Sequence, residues 1–255
     1  MIGIIRMVEH DFRNFFRYKW WLVGLISMNL ADLFVSALVY NTILKLSVRS
    51  EIGSYFNFFA PGLAVTGLFA SAFMIGREVN MERRREVHHY MLSLPMARWE
   101  LAVGRVLSGG LRGMMYMSPL LLTCFIFVGF PTAWQLLLIL AVLFLLAVGI
   151  SGLSISIAAS TSSLEKFITA RGAVYYVLFF CSTVFYPIQV IQSAGPALAT
   201  VAEINPLSGA SDMIRHILLP QFFSYSYLSI LYIAAFSAIF TFTATFAYMK
   251  LIERS

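Results

Sequence analysis

Six stretches of this chain run for about twenty residues or more with almost no charge, and they constrain the fold more than anything else in it. A helix needs roughly 20 consecutive apolar residues to cross the hydrocarbon core of a bilayer. The blocks predict membrane helices over 20–44, 55–76, 101–130, 134–159, 170–190 and 225–249. The third apolar block proper begins near residue 113, so its helix is expected to extend below the membrane to Leu101. At 60% hydrophobic and a mean hydropathy of +0.81, the chain is far from a soluble globular composition.

Charge then sets the orientation. With the N-terminus inside, only Lys45, Arg49 and Arg215 among the 18 Lys and Arg fall outside. Short cytoplasmic loops concentrate such residues, so both termini are expected in the cytoplasm, in a multi-pass protein of the cell (plasma or inner) membrane. The basic balance reflects topology and contact with membrane lipids, and implies no nucleic acid. Cys124 and Cys181 both lie in predicted spans, which leaves no disulfide framework. The charged and then apolar start resembles a signal peptide, but its apolar run is too long and no clean cleavage site follows, so it is expected to be retained.

Residues 1–19 read as an amphipathic interfacial helix. Arg6, Glu9, His10, Arg13 and Arg17 follow helical spacing, with Ile5, Val8, Phe12, Phe15 and Phe16 mostly opposite. Asp32 is a carboxylate inside the first span; both a structural hydrogen-bond partner and a substrate or proton site fit it. In the fourth span Gly149, Ser151, Gly152, Ser154 and Ser156 allow close helix packing. Tyr175 and Phe179 on the fifth span are candidates for a substrate path, or for bundle packing.

Between the last two spans, 191–220 is too long for a turn and too broken for a crossing. It predicts a hairpin re-entering the outer leaflet. Asn205-Pro206 reads as a helix start, with Asn at the cap and Pro first in the helix. Asp212 and Arg215 can pair one turn apart on the helix that follows.

The densest charge lies in REVNMERRREVHHYMLSLPMARWE, 77–100, which holds nine of the 30 charged residues. Asn80 can cap a helix and Pro95 disfavours helical geometry at Leu94, so a helix over 80–94 is predicted. Its second half places Val87, Tyr90, Met91 and Leu94 on one side, a face suited to docking in a groove of another protein. A solvated loop helix is the alternative.

ERRREVHHYMLSLPMARWELAVGR resembles the cytoplasmic coupling helix of ATP-binding-cassette exporter permeases, the class that moves polysaccharides and drugs. Glu82, Arg83, Leu92, Pro95, Arg98, Glu100, Gly104 and Arg105 occupy the places of that pattern. FYPI (185–188) and INPLSGASDMIRHILL (204–219) resemble the family's outer hairpin. Where the family often has Gly-Thr and then an acid, this chain has Glu86, Val87 and His89.

The resemblance implies an all-α integral membrane protein with six spans, an N-terminal interfacial helix, a cytoplasmic coupling helix and a re-entrant outer hairpin. It implies a non-catalytic permease that exports an amphiphilic substrate (a drug, lipid or lipid-linked glycan). A second permease, identical or paralogous, and ABC ATPase subunits complete the unit. No G-x-x-x-x-G-K-[ST] loop occurs, so ATP and Mg are expected on the partner ATPase, with no cofactor or metal on this chain.

Two other classes compete. A secondary transporter driven by protons or sodium would use Asp32. A metal enzyme would use His88 and His89, but adjacent helical residues point about 100° apart and cannot easily share one ion.

Overall fold

A computed structural model describes residues 2–17, scattered helical positions between 20 and 35, and residues 55–85 and 97–253. Every regular element among them is a helix: α1 (Ile2–Arg17), α2 (Tyr55–Ala72), α3 (Met74–Arg84), α4 (Arg98–Val128), α5 (Ala133–Ser160), α6 (Leu164–Phe180), α7 (Ile188–Ala194), α8 (Pro196–Ile204), α9 (Pro206–Leu218) and α10 (Leu228–Glu253). Asp32 and most of the expected first span lie outside the described residues.

Four stretches are long and apolar enough to cross a membrane: Asn57–Arg84, Arg98–Val128, Ala133–Ser160 and Leu228–Ile252. They correspond to the expected second, third, fourth and sixth spans. At about 1.5 Å per residue, the 28 residues of the first of these reach about 42 Å, against about 30 Å of hydrocarbon. Arg83 and Arg84 close this stretch at its C-terminal end.

Val65, Leu68, Phe69 and Ala72 are wholly buried, which makes α2 the central helix of the bundle. Between α2 and α3 the helix slips at Phe73, whose carbonyl accepts a 2.5 Å hydrogen bond from Ser154 Oγ of α5. Small residues do for α5 and α10 what they do between membrane helices generally. A Cβ on Gly152 would stand 2.5 Å from the Phe240 carbonyl oxygen, and one on Gly149 would stand 2.9 Å from the Cα of Ser237. The small-residue stripe is thus used for packing within this chain.

Two expected boundaries are corrected. The fifth helix, expected over 170–190, runs from Leu164 to Phe180. It starts early because Ser163 caps it, accepting from the Lys166 amide at 3.2 Å, with Glu165 in the first turn. It stops early because the carbonyls at its end find distant side-chain donors, described below. The helix expected to start at Asn80 does not start there: Asn80 is buried in the interior of α3, which continues the second membrane helix to Arg84. Glu78 and Glu82 hold this stretch against α4, so no cap is needed. The rest of the expected 80–94 helix, with Val87, Tyr90, Met91 and Leu94, lies outside the described residues.

Candidate functional site

Two polar clusters are built into this otherwise apolar bundle, one at each end. The first occupies the charged end, where α1, α3, α4 and α10 meet. Arg105 of α4 is 1% exposed. Its Nη1 donates to Asp11 Oδ1 of α1 at 2.6 Å, and its Nη2 donates to Glu82 of α3. Ser108, one turn further along α4, donates to the other Asp11 oxygen at 2.5 Å. Two turns from Arg105 on the same face, Arg112 grips both carboxylate oxygens of Glu78. The pattern is a matched pair of rows: Glu78 and Glu82 four apart on α3, Arg112 and Arg105 seven apart on α4.

These charges are held because they are paired; an unpaired one would cost several kcal/mol. Burial alone would raise the Asp11 carboxyl, but Arg105, with hydrogen bonds from His10 and Ser108, overrides it and holds Asp11 below its ordinary range. His10 is pushed up, chiefly by its hydrogen bond to Asp11, whose Oδ1 lies 3.5 Å from His10 Nδ1.

α1 sits on α4 by an edge separate from the apolar face that its pattern marks. Among its described side chains Gly3, Met7 and Asp11 are buried, and Ile5 is 67% exposed. A Cβ on Gly104 would stand 2.9 Å from the Met7 Cβ, so α1 rests directly on the α4 backbone. The helix therefore has two uses for its apolar residues: one edge packs on the bundle while Ile5 faces away from it.

Arg83 donates to the Thr161 carbonyl at 3.0 Å, tying α3 to the α5–α6 connection. Arg98 and Glu100 open α4 at the same end, Arg98 exposed and Glu100 half-exposed.

The second cluster closes the broken end of α6. Asn205 caps α9, accepting from the Leu207 amide at 3.0 Å, with Pro206 first in the helix, as the Asn-Pro pair predicts. Its Nδ2 donates to the carbonyls of Leu178 and Cys181, both at 2.8 Å. Arg215, fully buried, donates to the carbonyls of Phe58, Thr183 and Val184 at 2.9, 2.9 and 3.0 Å. It lies 3.7 Å from the centroid of the Phe58 ring and pairs with Asp212 at 2.6 Å, the expected one-turn partner. Asp212 also accepts from Thr183 Oγ1 at 2.8 Å. Irregular backbone at this position is sustained because side chains of α9 satisfy it.

Tyr175 and Phe179 come together, 4.3 Å between ring centroids, and both pack on Phe69 of α2. Phe179 is wholly buried in this aromatic cluster.

Among the described residues no group of three His, Cys, Asp or Glu is placed to hold a metal. The long apolar helices define a multi-pass helical membrane protein. The chain belongs to the ABC-2 type transporter family, whose sequence model matches residues 4–219. It is the membrane permease of an ABC transporter, a family that works with an ATP-binding partner subunit. A search of curated proteins finds no match.

Proposed function

We propose that this chain is the permease subunit of an ABC exporter, driven by ATP hydrolysis on a separate nucleotide-binding subunit. In this reading the charged end of the bundle is cytoplasmic, both termini are inside, and the protein lies in the cell membrane. Two permease subunits, identical or paralogous, form the path with lipid around them. The cargo is an amphiphile: a drug, a lipid or a lipid-linked glycan. ATP and Mg bind the partner, and this chain does no chemistry.

One observation carries the reading beyond family membership. The charged end of the second membrane helix is anchored into the bundle by Arg105 and Arg112, each on an acid of α3. A helix that only supplied positive charge to the inner face would need no such bracing. α3 delivers the chain to this end and α4 takes it back, with residues 86–96 between them. A push on Val87, Tyr90, Met91 or Leu94 would then pass into two membrane helices at once, with Arg98 and Glu100 at the point of re-entry.

Capture of the ATPase subunit on the immobilised permease tests this. Val87→Asp, Tyr90→Asp and Met91→Asp together are expected to abolish capture while the permease still inserts. Undiminished capture overturns the coupling role.

A further inference from the structure

We infer that Arg105 is a positioning residue that joins the N-terminal helix to the charged end of the second membrane helix, so that α1 and α3 move as one body. The inference rests on the permease reading and extends the force-receiving element from the segment after α3 to α1.

The geometry is specific to an arginine. One planar guanidinium presents its two amino groups to two acids on two different helices, Asp11 and Glu82. A lysine is a point charge and cannot span both in this way. Asp11 has no freedom to leave alone, because its second oxygen is held by Ser108 of the same helix as Arg105. The contact beside it is equally close: Met7 lies where a side chain on Gly104 would have to stand. α1 is therefore fixed to α4 by a charge and by shape, and α3 is fixed to the same guanidinium.

A purely stabilising role is the weaker account. Replacing a buried ion cluster by apolar residues is often neutral or favourable. Simple adhesion of α1 would be met by extending the Met7–Gly104 contact with further apolar pairs. What the ion cluster adds is a shared, directional link between three helices.

The test uses the full chain in lipid with its ATPase, and needs no cargo. Spin labels are placed by Arg13→Cys on α1 and Arg84→Cys on α3, both exposed, with Cys181→Ser and the buried Cys124 left in place. Distances are measured without nucleotide and with ATP and vanadate trapped. A second pair, Arg84→Cys with Phe130→Cys, reports movement of the charged end against the far end.

The inference expects the Arg13–Arg84 distance to stay unchanged between the two states while the Arg84–Phe130 distance shifts. Arg105→Lys is expected to broaden the Arg13–Arg84 distribution even without nucleotide. A shift of the Arg13–Arg84 distance in the parent overturns the inference, as does an unbroadened distribution in Arg105→Lys. Failure of the ATPase to associate, or of the Arg84–Phe130 pair to respond, sinks the permease reading instead. The Arg105→Lys comparison on the permease alone still decides the inference in that case. Should Arg105→Lys not insert, Ser108→Ala, which frees one Asp11 oxygen, supplies the same comparison.

Discussion

Arg215 and Asp212 stand one turn apart on α9 and form an ion pair of 2.6 Å, with the arginine fully buried and the aspartate 32% exposed. The asymmetry says which partner matters more. Arg215 also satisfies three backbone carbonyls, of Phe58, Thr183 and Val184, on two other parts of the chain. Asp212 adds one hydrogen bond from Thr183 and keeps access to water. Arg215→Met leaves three backbone carbonyls and Asp212 without this donor, and is expected to destabilise by about 3 kcal/mol. Asp212→Asn keeps the shape and is expected to cost about 1 kcal/mol. Melting in detergent distinguishes them; equal losses would mean that the carbonyl contacts contribute little.

Two glycines should respond in opposite directions. Gly152 faces the backbone of α10, where a Cβ would meet the Phe240 carbonyl oxygen at 2.5 Å. Backbone cannot swing aside as a side chain can, so Gly152→Ala must separate α5 from α10 and is expected to cost about 1–3 kcal/mol. Gly172 sits within α6 with nothing within 4 Å of an added Cβ. There Gly172→Ala relieves the helix penalty of glycine, worth about 1 kcal/mol. Thermal stability of the two single variants, measured side by side, checks the signs.

The difference between what could and could not be read from sequence follows the range of each interaction. Apolar blocks place the long helices, because bilayer thickness fixes their length. Asn205-Pro206 and the Asp212–Arg215 pair are local patterns, and the structure contains both. Asp11, Glu78, Arg105 and Arg112 are not legible as one site from local pattern, since their pairing crosses up to 94 residues of sequence. A signal did exist: Arg105 and Arg112 share a face of an apolar helix, and Glu78 and Glu82 share a face of the preceding one. Charges aligned in this way inside apolar helices need partners, and two such rows on neighbouring helices can serve each other. The early end of α6 had no local signal, because its last carbonyls are taken by Asn205, more than twenty residues away. Likewise the buried edge of α1 follows Met7 and Asp11 and leaves Ile5 exposed, because Gly104 and Arg105 select that edge.

Attachment of α1 should depend on pH from both sides, with the sign set by Asp11 and His10. Asp11 is held below its ordinary value of 3.8 in the folded protein: burial opposes the charge, but Arg105 and two hydrogen bonds outweigh it. A depressed carboxyl contributes stability that is present above 3.8 and is lost as pH falls through the lower, folded value. His10 is raised above 6.5, mainly by its hydrogen bond to Asp11. A raised imidazole contributes fully below 6.5 and loses its contribution as pH climbs through the higher, folded value. His10 is more than half exposed, so the alkaline loss is expected to be the smaller. Amide hydrogen exchange over residues 2–17, corrected for intrinsic pH effects, should therefore show greatest protection between about pH 4 and pH 6.5. Asp11→Asn should remove the acid limb and, because Asp11 is what raises His10, weaken the alkaline one as well, whereas His10→Gln should remove the alkaline limb alone. Protection that stays flat from pH 3 to pH 8 would show that α1 is held by the Met7–Gly104 contact and not by charge.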